Sequence, residues 1–120
     1  MKILYQEKEY SCPFDLALDM FNGKWKVLIL WHLSTKGTMR YGELKKASGK
    51  ITQKMLTQTL RELEKNKLIR RKVYRVVPPK VEYSITENTE KLIPILQSLQ
   101  SWGEYMIENN ECEIFESGWE

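Results

Sequence analysis

The sequence predicts a mainly α fold of the α+β class with one two-stranded ribbon, and three observations support this prediction. Apolar residues recur at helical spacing along most of residues 11–66 and again after residue 87. Between these regions, the stretch VYRVVPPKVEYSIT (73–86) places two prolines between two runs of β-formers. Proline lacks an amide donor, so Pro78 and Pro79 are expected at a hairpin tip. Finally, no linker or internal repeat divides the 120 residues, which predicts a single domain.

Two helices are expected within residues 11–35. Pro13 suits the first position of a helix, which makes Cys12 the N-cap, and Gly23 is the expected end of that helix. The second helix is apolar nearly all round after Lys26, as is typical of a helix buried in a core or between subunits.

Residues 40–66 predict two helices joined by a turn. The first is the short stretch MRYGELKKAS, with Tyr41 on its inward side. Thr52 is the expected N-cap of the second, and Ile51 and Leu56 fit the two positions of a hydrophobic staple. The second helix has a leucine side that must face the core (Leu56, Leu60 and Leu63). Its other side is polar (Gln53, Lys54, Thr57, Gln58 and Arg61).

Residues 69–86 predict an antiparallel ribbon with Arg75 and Lys80 beside its proline tip. An isolated ribbon is only marginally stable, so it must pack against the rest of the domain. A ribbon directly after a helix-turn-helix forms a wing, which makes the predicted fold a winged helix-turn-helix. The ribbon is either a solvated hairpin without a role or a charged finger that touches a polyanion.

The last helix is expected over residues 87–108, with a kink at Pro94. One side of it carries apolar residues at alternating three- and four-residue steps (Leu92, Ile95, Leu99, Trp102 and Met106). Such a seam can pack on another helix. Residues 110–120 predict an acidic tail without secondary structure.

Charge is distributed unevenly along the chain. Residues 40–80 hold thirteen Lys or Arg and three Glu, although the net charge of the whole chain is only +3. A basic centre beside an acidic tail favours a polyanion as partner over a chance imbalance of the surface. The polar N-terminus, the short apolar runs and the two cysteines predict a cytoplasmic protein without a membrane span or disulfide scaffold.

The sequence favours no enzyme, metal site or cofactor. His32 is the single histidine and lies in an apolar helix, so a hydrogen-bonded core or interface role is expected for it. There is no phosphate loop and no Gly-rich dinucleotide turn. Trp25, Trp31 and Trp102 could line a pocket for a small-molecule effector, but core or interface roles are the more common ones for tryptophan.

Three stretches carry a family resemblance: CPFDLALDMFNGKWKVLIL, RYGELKKASGKITQKMLTQTLRELEKNKLI and VPPKVEYSIT. They are similar to the HxlR-type winged helix-turn-helix transcriptional regulators, relatives of the MarR group. The resemblance extends from Cys12 to about Gly103. The chain departs from the family pattern at Asn66-Lys67, where an acidic residue and glycine are usual, and at Asn88-Thr89, where glycine is common. We expect asparagine to tolerate the turn geometry at both places.

The resemblance implies a homodimer, joined through helices within 11–35 and 87–108, that binds double-stranded DNA near promoters. We expect repression rather than activation, because occupying a promoter is the simpler act. On the second helix of the helix-turn-helix and on the wing, the expected DNA contacts are Gln53, Lys54, Thr57, Gln58, Arg61, Arg75 and Lys80. A protein-interaction adaptor of the same fold, without sequence-specific DNA binding, is the alternative.

Cys12 has two possible roles, a reactive sensor thiol or a buried core residue. The positive end of a helix dipole favours a thiolate there, and some family members sense oxidants or electrophiles through a cysteine at this position. The alternative is a small buried hydrophobic residue. Cys112 lies between two glutamates, which oppose a thiolate, so it is the weaker sensor candidate.

Overall fold

The computed structural model describes residues 1–115, and within that range the chain forms six helices and five short strands. In chain order they are β1 (Ile3–Tyr5), β2 (Lys8–Tyr10), α1 (Pro13–Met20), α2 (Lys24–Lys36), β3 (Met39–Arg40), α3 (Tyr41–Ala47), α4 (Gln53–Lys65), β4 (Ile69–Tyr74), β5 (Lys80–Ile85), α5 (Glu87–Glu90) and α6 (Ile93–Glu108). No helix in this part of the chain is long and apolar enough to span a bilayer. Glu116 and Glu120 of the predicted acidic tail lie outside the described residues.

The hydrophobic core lies where α2, α3 and α4 meet the sheet. α2 contributes Ile29, Leu30 and Leu33, all fully or almost fully buried. The leucine side of α4 is buried as predicted (Leu56, Leu60 and Leu63). α6 adds Leu96, its one buried residue. Because the core takes only one side of α4, the opposite side remains at the surface.

Capping residues define the start of α4. The Thr52 hydroxyl accepts a hydrogen bond from the amide of Met55 at 3.1 Å, which satisfies one of the free donors of the first turn. Ile51 and Leu56 are both buried at the staple positions. The predicted N-terminus of this helix is therefore confirmed.

α4 ends in a Schellman motif whose left-handed residue is a lysine. The amide of Leu68 donates to the Leu63 carbonyl at 2.9 Å, and the amide of Lys67 donates to Glu64 at 3.0 Å. Lys67 itself has φ 61° and is the residue in the left-handed region. The sequence analysis expected Asn66 to take up the turn geometry, and that expectation is wrong. This left-handed conformation costs a residue with a Cβ about 1 kcal/mol of conformational free energy relative to glycine.

The second departure from the family pattern supports the first. The Lys67 carbonyl accepts hydrogen bonds from the Thr86 hydroxyl at 2.7 Å and from the Asn88 amide at 3.1 Å. The Thr89 hydroxyl, which is buried, donates to the Leu68 carbonyl at 2.6 Å. Side chains around the start of α5 thus hold the backbone of the turn that Lys67 strains.

The wing is part of a three-stranded antiparallel sheet of order β3-β5-β4. The predicted hairpin is confirmed as β4 and β5, with Val73 opposite Val81. β3 was not predicted, because a strand of two residues shows no alternation. The first wing strand ends at Tyr74, so Val76 and Val77, grouped with the β-formers above, lie in the exposed tip with the prolines.

Two predicted helix boundaries are wrong. The stretch expected as one helix over 87–108 is two helices, α5 and α6, because Pro94 lies in the first turn of α6 and a helix that ran through it would lose a backbone hydrogen bond. The first helix ends at Met20, with Phe21 as its C-cap. Gly23 has φ 94° and precedes α2 as its N-cap instead of ending α1.

The N-terminal hairpin of β1 and β2 was not predicted at all. Its turn residues, Gln6 and Glu7, both have positive φ, whereas glycine or asparagine is the usual signal for such a turn. The hairpin is joined to α1 by Asp19, which accepts from the Tyr10 hydroxyl at 2.5 Å and from Lys8 at 3.4 Å. Its tip contacts the end of α4, since the Gln6 side chain donates to the Lys65 carbonyl at 2.9 Å.

The bond between Tyr10 and Asp19 predicts a pH-dependent contribution to stability. The hydrogen bond to Asp19 is the main cause that raises the pKa of Tyr10 to about 12, and the same bond lowers the pKa of Asp19. A raised tyrosine pKa stabilises the fold fully below the ordinary value of 10.0, and this contribution is lost as the pH rises through the folded pKa. A lowered aspartate pKa stabilises it above the ordinary value of 3.8, and this contribution is lost as the pH falls through the folded pKa.

Tyr10→Phe should therefore reduce the free energy of unfolding most between about pH 4 and pH 10, and progressively less outside that window. Denaturant titrations across the pH range measure the difference. Tyr105→Phe, which removes a tyrosine hydroxyl from exposed α6, is the control and should follow the wild type. A deficit of Tyr10→Phe that stays constant with pH contradicts the prediction.

Candidate nucleic-acid interface

The outer side of α4 presents five polar side chains that line one open surface groove (Gln53, Lys54, Thr57, Gln58 and Arg61). Four of them are exposed, and Thr57 is half-buried. The predicted candidates on this helix therefore lie together on one face. Gln and Arg are side chains that read base edges in a major groove, and Lys is suited to phosphate.

Side-chain contacts hold part of this face in place. The Gln58 amide lies 3.4 Å from Glu62, and the second carboxylate oxygen of Glu62 pairs with Lys26 of α2 at 3.3 Å. Gln58 thus points along the helix toward a carboxylate that Lys26 holds. One N–H of its amide is used in this bond, and a glutamine amide has a second N–H and a carbonyl oxygen with which to contact a base.

Tyr41, at the start of α3, makes the contact between the two helices of the helix-turn-helix. Its hydroxyl lies 3.0 Å from the Gln53 carbonyl and 3.0 Å from the Thr57 hydroxyl. The ring packs against the core. The sequence analysis placed Tyr41 on the inward side of its helix. It missed the hydrogen bonds of the hydroxyl, because apolar periodicity does not show where a tyrosine hydroxyl lies.

A second groove runs between α4 and the wing. Its walls include Thr57 and Arg61 of α4, Arg71 of β4, and Tyr41. Arg71 is exposed and was not singled out from the sequence. The alternating basic residues of IRRKVY were the available signal, but only the strand register decides that Arg71 faces α4.

The two basic residues of the wing tip, Arg75 and Lys80, differ in their exposure to solvent. Arg75 lies in the exposed tip beyond β4. Lys80 is half-buried, pairs with Glu82 at 3.4 Å and lies 4.7 Å from the centre of the Tyr74 ring. Hydrogen bonds from Tyr74 and then Lys80 hold the pKa of Glu82 below its usual range. Lys80 therefore has a negative partner in its own strand.

Cys12 is exposed, and it occupies the N-cap of α1 with an extended backbone. The alternative interpretation of Cys12 as a small buried residue is therefore wrong for the single chain that the structure describes. Within residues 1–115 its thiol makes no capping hydrogen bond to α1. Cys112 is also free and exposed, and its thiol lies 3.9 Å from the Met106 carbonyl.

The apolar seam of α6 lies mostly at the surface. Ile95, Leu99 and Trp102 are 60%, 52% and 60% exposed, and Met106 is also exposed. Leu92 differs from the rest of the predicted seam, because it is half-buried against the core of its own chain. α1 adds a second exposed apolar side with Phe14 and Leu18.

The remaining candidates lie on or near α2. Trp31 lines an apolar groove of about 240 Å³ between α2 and α6, together with Leu28 and Leu99. His32 is half-buried on α2, where burial, followed by the charge of Lys36, lowers its pKa. Among the described residues, no group of three or more His, Cys, Asp or Glu is placed to hold a metal ion.

Comparisons with known proteins agree on one family. The model of the HxlR-like helix-turn-helix family matches residues 20–111. YkvN, an uncharacterized HTH-type transcriptional regulator of Bacillus subtilis (strain 168), is 52% identical over 106 residues, which cover 88% of this chain and 89% of YkvN.

Solved structures of two regulators superpose on the chain. The redox regulator HypR in its oxidized form superposes with a TM-score of 0.74 at 42% identity, covering 85% of this chain and 100% of HypR. The reduced form of the transcriptional regulator YodB from B. subtilis superposes with a TM-score of 0.71 at 33% identity, covering 83% of this chain and 98% of YodB.

Proposed function

Since the chain belongs to the HxlR-like helix-turn-helix family and is a transcriptional regulator of the winged-helix type, we propose that it binds a specific inverted-repeat operator as a homodimer and represses transcription there. The observation that carries this proposal is the division of α4 into a buried leucine side and an exposed polar side of Gln, Lys, Thr and Arg. A helix of that kind enters the major groove with its polar side toward the bases.

The wing supplies the second part of the proposed interface. Arg75 at its tip and Arg71 beside α4 lie on the segment of residues 40–80 that holds thirteen Lys or Arg. Phosphate contacts from such residues position a protein on the duplex, and base contacts from α4 would specify the sequence. Arg75 is a better phosphate contact than Lys80, since Lys80 already pairs with Glu82.

The homodimer rests on the apolar surface that one chain leaves open. The seam of α6 and the Phe14 side of α1 are both exposed and apolar, and exposed apolar patches are typical of interaction sites. A second copy offers the same surface and can cover both by twofold symmetry. The helices within 11–35 and 87–108 would then form the interface, and residues 40–66 and 69–86 would face DNA.

A response to oxidants or electrophiles through Cys12 is the finer part of the proposal. Exposure makes the thiol accessible to a reagent. Cys12 also connects the N-terminal hairpin to α1, and the tip of that hairpin contacts the end of α4 through Gln6. HypR, a redox regulator, is among the proteins that superpose on this chain.

An adaptor that uses the same fold to bind proteins is the competing function. The two proposals differ in salt dependence, because a DNA binder releases counterions and loses affinity steeply as salt rises. The exposed positive charge of α4 and the wing favours DNA.

Arg61→Ala should cost about 1–3 kcal/mol on the operator and relax specificity at one base pair, as expected when a side chain that reads a base is removed. Arg75→Ala should weaken operator and random DNA about equally and reduce the salt slope by about one unit. Lys80→Ala should reduce the slope less than Arg75→Ala, because Glu82 already neutralises Lys80. Binding titrations at several salt concentrations on both DNAs measure these differences. Loss of operator affinity alone in Arg75→Ala contradicts the division between reading and positioning.

Leu99→Glu should weaken the dimer by more than about tenfold, because burying an unpaired carboxylate in an apolar interface costs well over 1 kcal/mol. Sedimentation equilibrium measures the dissociation constant. Gln97→Glu adds the same charge on the same helix outside the seam and should leave the dimer intact. A wild-type chain that sediments as a monomer at micromolar concentration and binds one copy per operator is incompatible with the proposed homodimer.

Cys12→Ser should bind the operator normally under reducing conditions and lose the response to peroxide or diamide. A hundredfold loss of wild-type affinity on oxidation corresponds to about 2.7 kcal/mol of coupling between modification and DNA binding. Cys112→Ser is the matched control and should keep the response. Operator affinity before and after oxidant decides the matter, and unchanged wild-type affinity with Cys12 fully modified excludes Cys12 as the sensor.

A further inference from the structure

We propose that Tyr41 sets the hydrogen-bond polarity of Thr57, so that Thr57 meets DNA only as an acceptor and reads the amino group of an adenine or a cytosine. The inference rests on the proposed DNA binding and deepens it. It starts from the two bonds of the Tyr41 hydroxyl, 3.0 Å to the Gln53 carbonyl and 3.0 Å to the Thr57 hydroxyl.

Counting protons assigns the donors. A carbonyl oxygen only accepts, so in the bond to Gln53 the Tyr41 hydroxyl is the donor. A phenol has one proton, and that proton is then committed. For the second bond to exist as well, Thr57 must donate to the phenol oxygen. The Thr57 hydroxyl therefore has lone pairs to offer, and its proton is already used.

The consequence for recognition follows from the major-groove pattern. Phosphate oxygens, guanine O6 and N7, adenine N7 and thymine O4 are acceptors and require a donor from the protein. The amino groups of adenine and cytosine are donors and suit an acceptor. A Thr57 whose proton is held by Tyr41 is matched to the amino groups and mismatched to phosphate, although a free threonine hydroxyl is suited to either kind.

The position of the pair makes this relevant to DNA. Thr57 is half-buried and lines both the outer groove of α4 and the groove between α4 and the wing. Tyr41 packs against the core from α3, so it cannot easily follow Thr57 if the latter turns toward a ligand. Tyr41 is thus a positioning residue that acts through Thr57.

The experiment first establishes the operator of the wild type and the salt dependence of binding to it. Each adenine or cytosine of a half-site is then replaced by an analogue that lacks the amino group, purine or pyrimidinone. One position should lose about two- to tenfold in wild-type affinity, the range of a single neutral hydrogen bond. Thr57→Val, which keeps the shape and removes the hydroxyl, should be indifferent to the amino group at that position.

Tyr41→Phe keeps the ring and frees the Thr57 proton. Relative to its own affinity for random DNA, it should therefore bind operators with guanine or thymine at that position with a smaller loss than the wild type shows. Tyr105→Phe removes a tyrosine hydroxyl from exposed α6 and should retain the wild-type base preference. A merely structural role of Tyr41 would change affinity for all sequences alike and leave the preference at this position as it was.

Three results overturn the inference. The first is wild-type affinity that no amino-group deletion changes, and the second is an equal sensitivity of Thr57→Val to the deletion. The third is a folded Tyr41→Phe whose preference at that position equals that of the wild type. If Tyr41→Phe fails to fold, the comparison of wild type with Thr57→Val still decides whether Thr57 accepts from an amino group. A wild type without specific, salt-dependent DNA binding refutes the proposed function itself and is recognised before any variant is compared.

Discussion

Burial of one side of α4 is the constraint on which the rest of the molecule depends. Leu56, Leu60 and Leu63 pack into the core formed with α2 and the sheet, and their burial sets the rotation of the helix about its axis. A helix with its rotation set has its opposite side set as well, which is why the polar candidates share one groove. The Thr52 cap adds to this by defining where the helix starts and thus which polar residues lie in its first turn.

The two ends of α4 are held by different parts of the chain. Near its start, Tyr41 bonds the Gln53 carbonyl and the Thr57 hydroxyl. At its end, the Lys67 turn receives bonds from Thr86 and Asn88, and Gln6 of the N-terminal hairpin reaches Lys65. The end of the wing at Thr86, α5 and the N-terminal hairpin therefore all form hydrogen bonds at the C-terminal end of α4. A chemical change near Cys12, between the hairpin and α1, has a short structural route to the proposed reading helix.

Much of this arrangement could be predicted from the sequence, and the failures have physical reasons. The helices of the helix-turn-helix and the wing hairpin follow from apolar periodicity, a threonine cap and two prolines, which are local signals. The N-terminal hairpin was missed because Gln6 and Glu7 adopt positive φ without the usual turn residues. β3 consists of two residues, which pair only because β5 is already there. The break before α6 was expected as a kink, since the proline signal does not tell a bend from an interruption.

The sequence by itself determined which polar side chains are available for the proposed DNA contacts and on which side of α4 they lie, because helical periodicity is a property of consecutive residues. The tertiary structure decided the state of those side chains. It paired Lys80 with Glu82, brought Arg71 beside Thr57 and Arg61, exposed Cys12, and placed the Tyr41 hydroxyl against a residue 16 positions away in the chain. Such contacts depend on strand register and on the angle between helices, which are set by the packing of the whole core and by no single stretch of sequence.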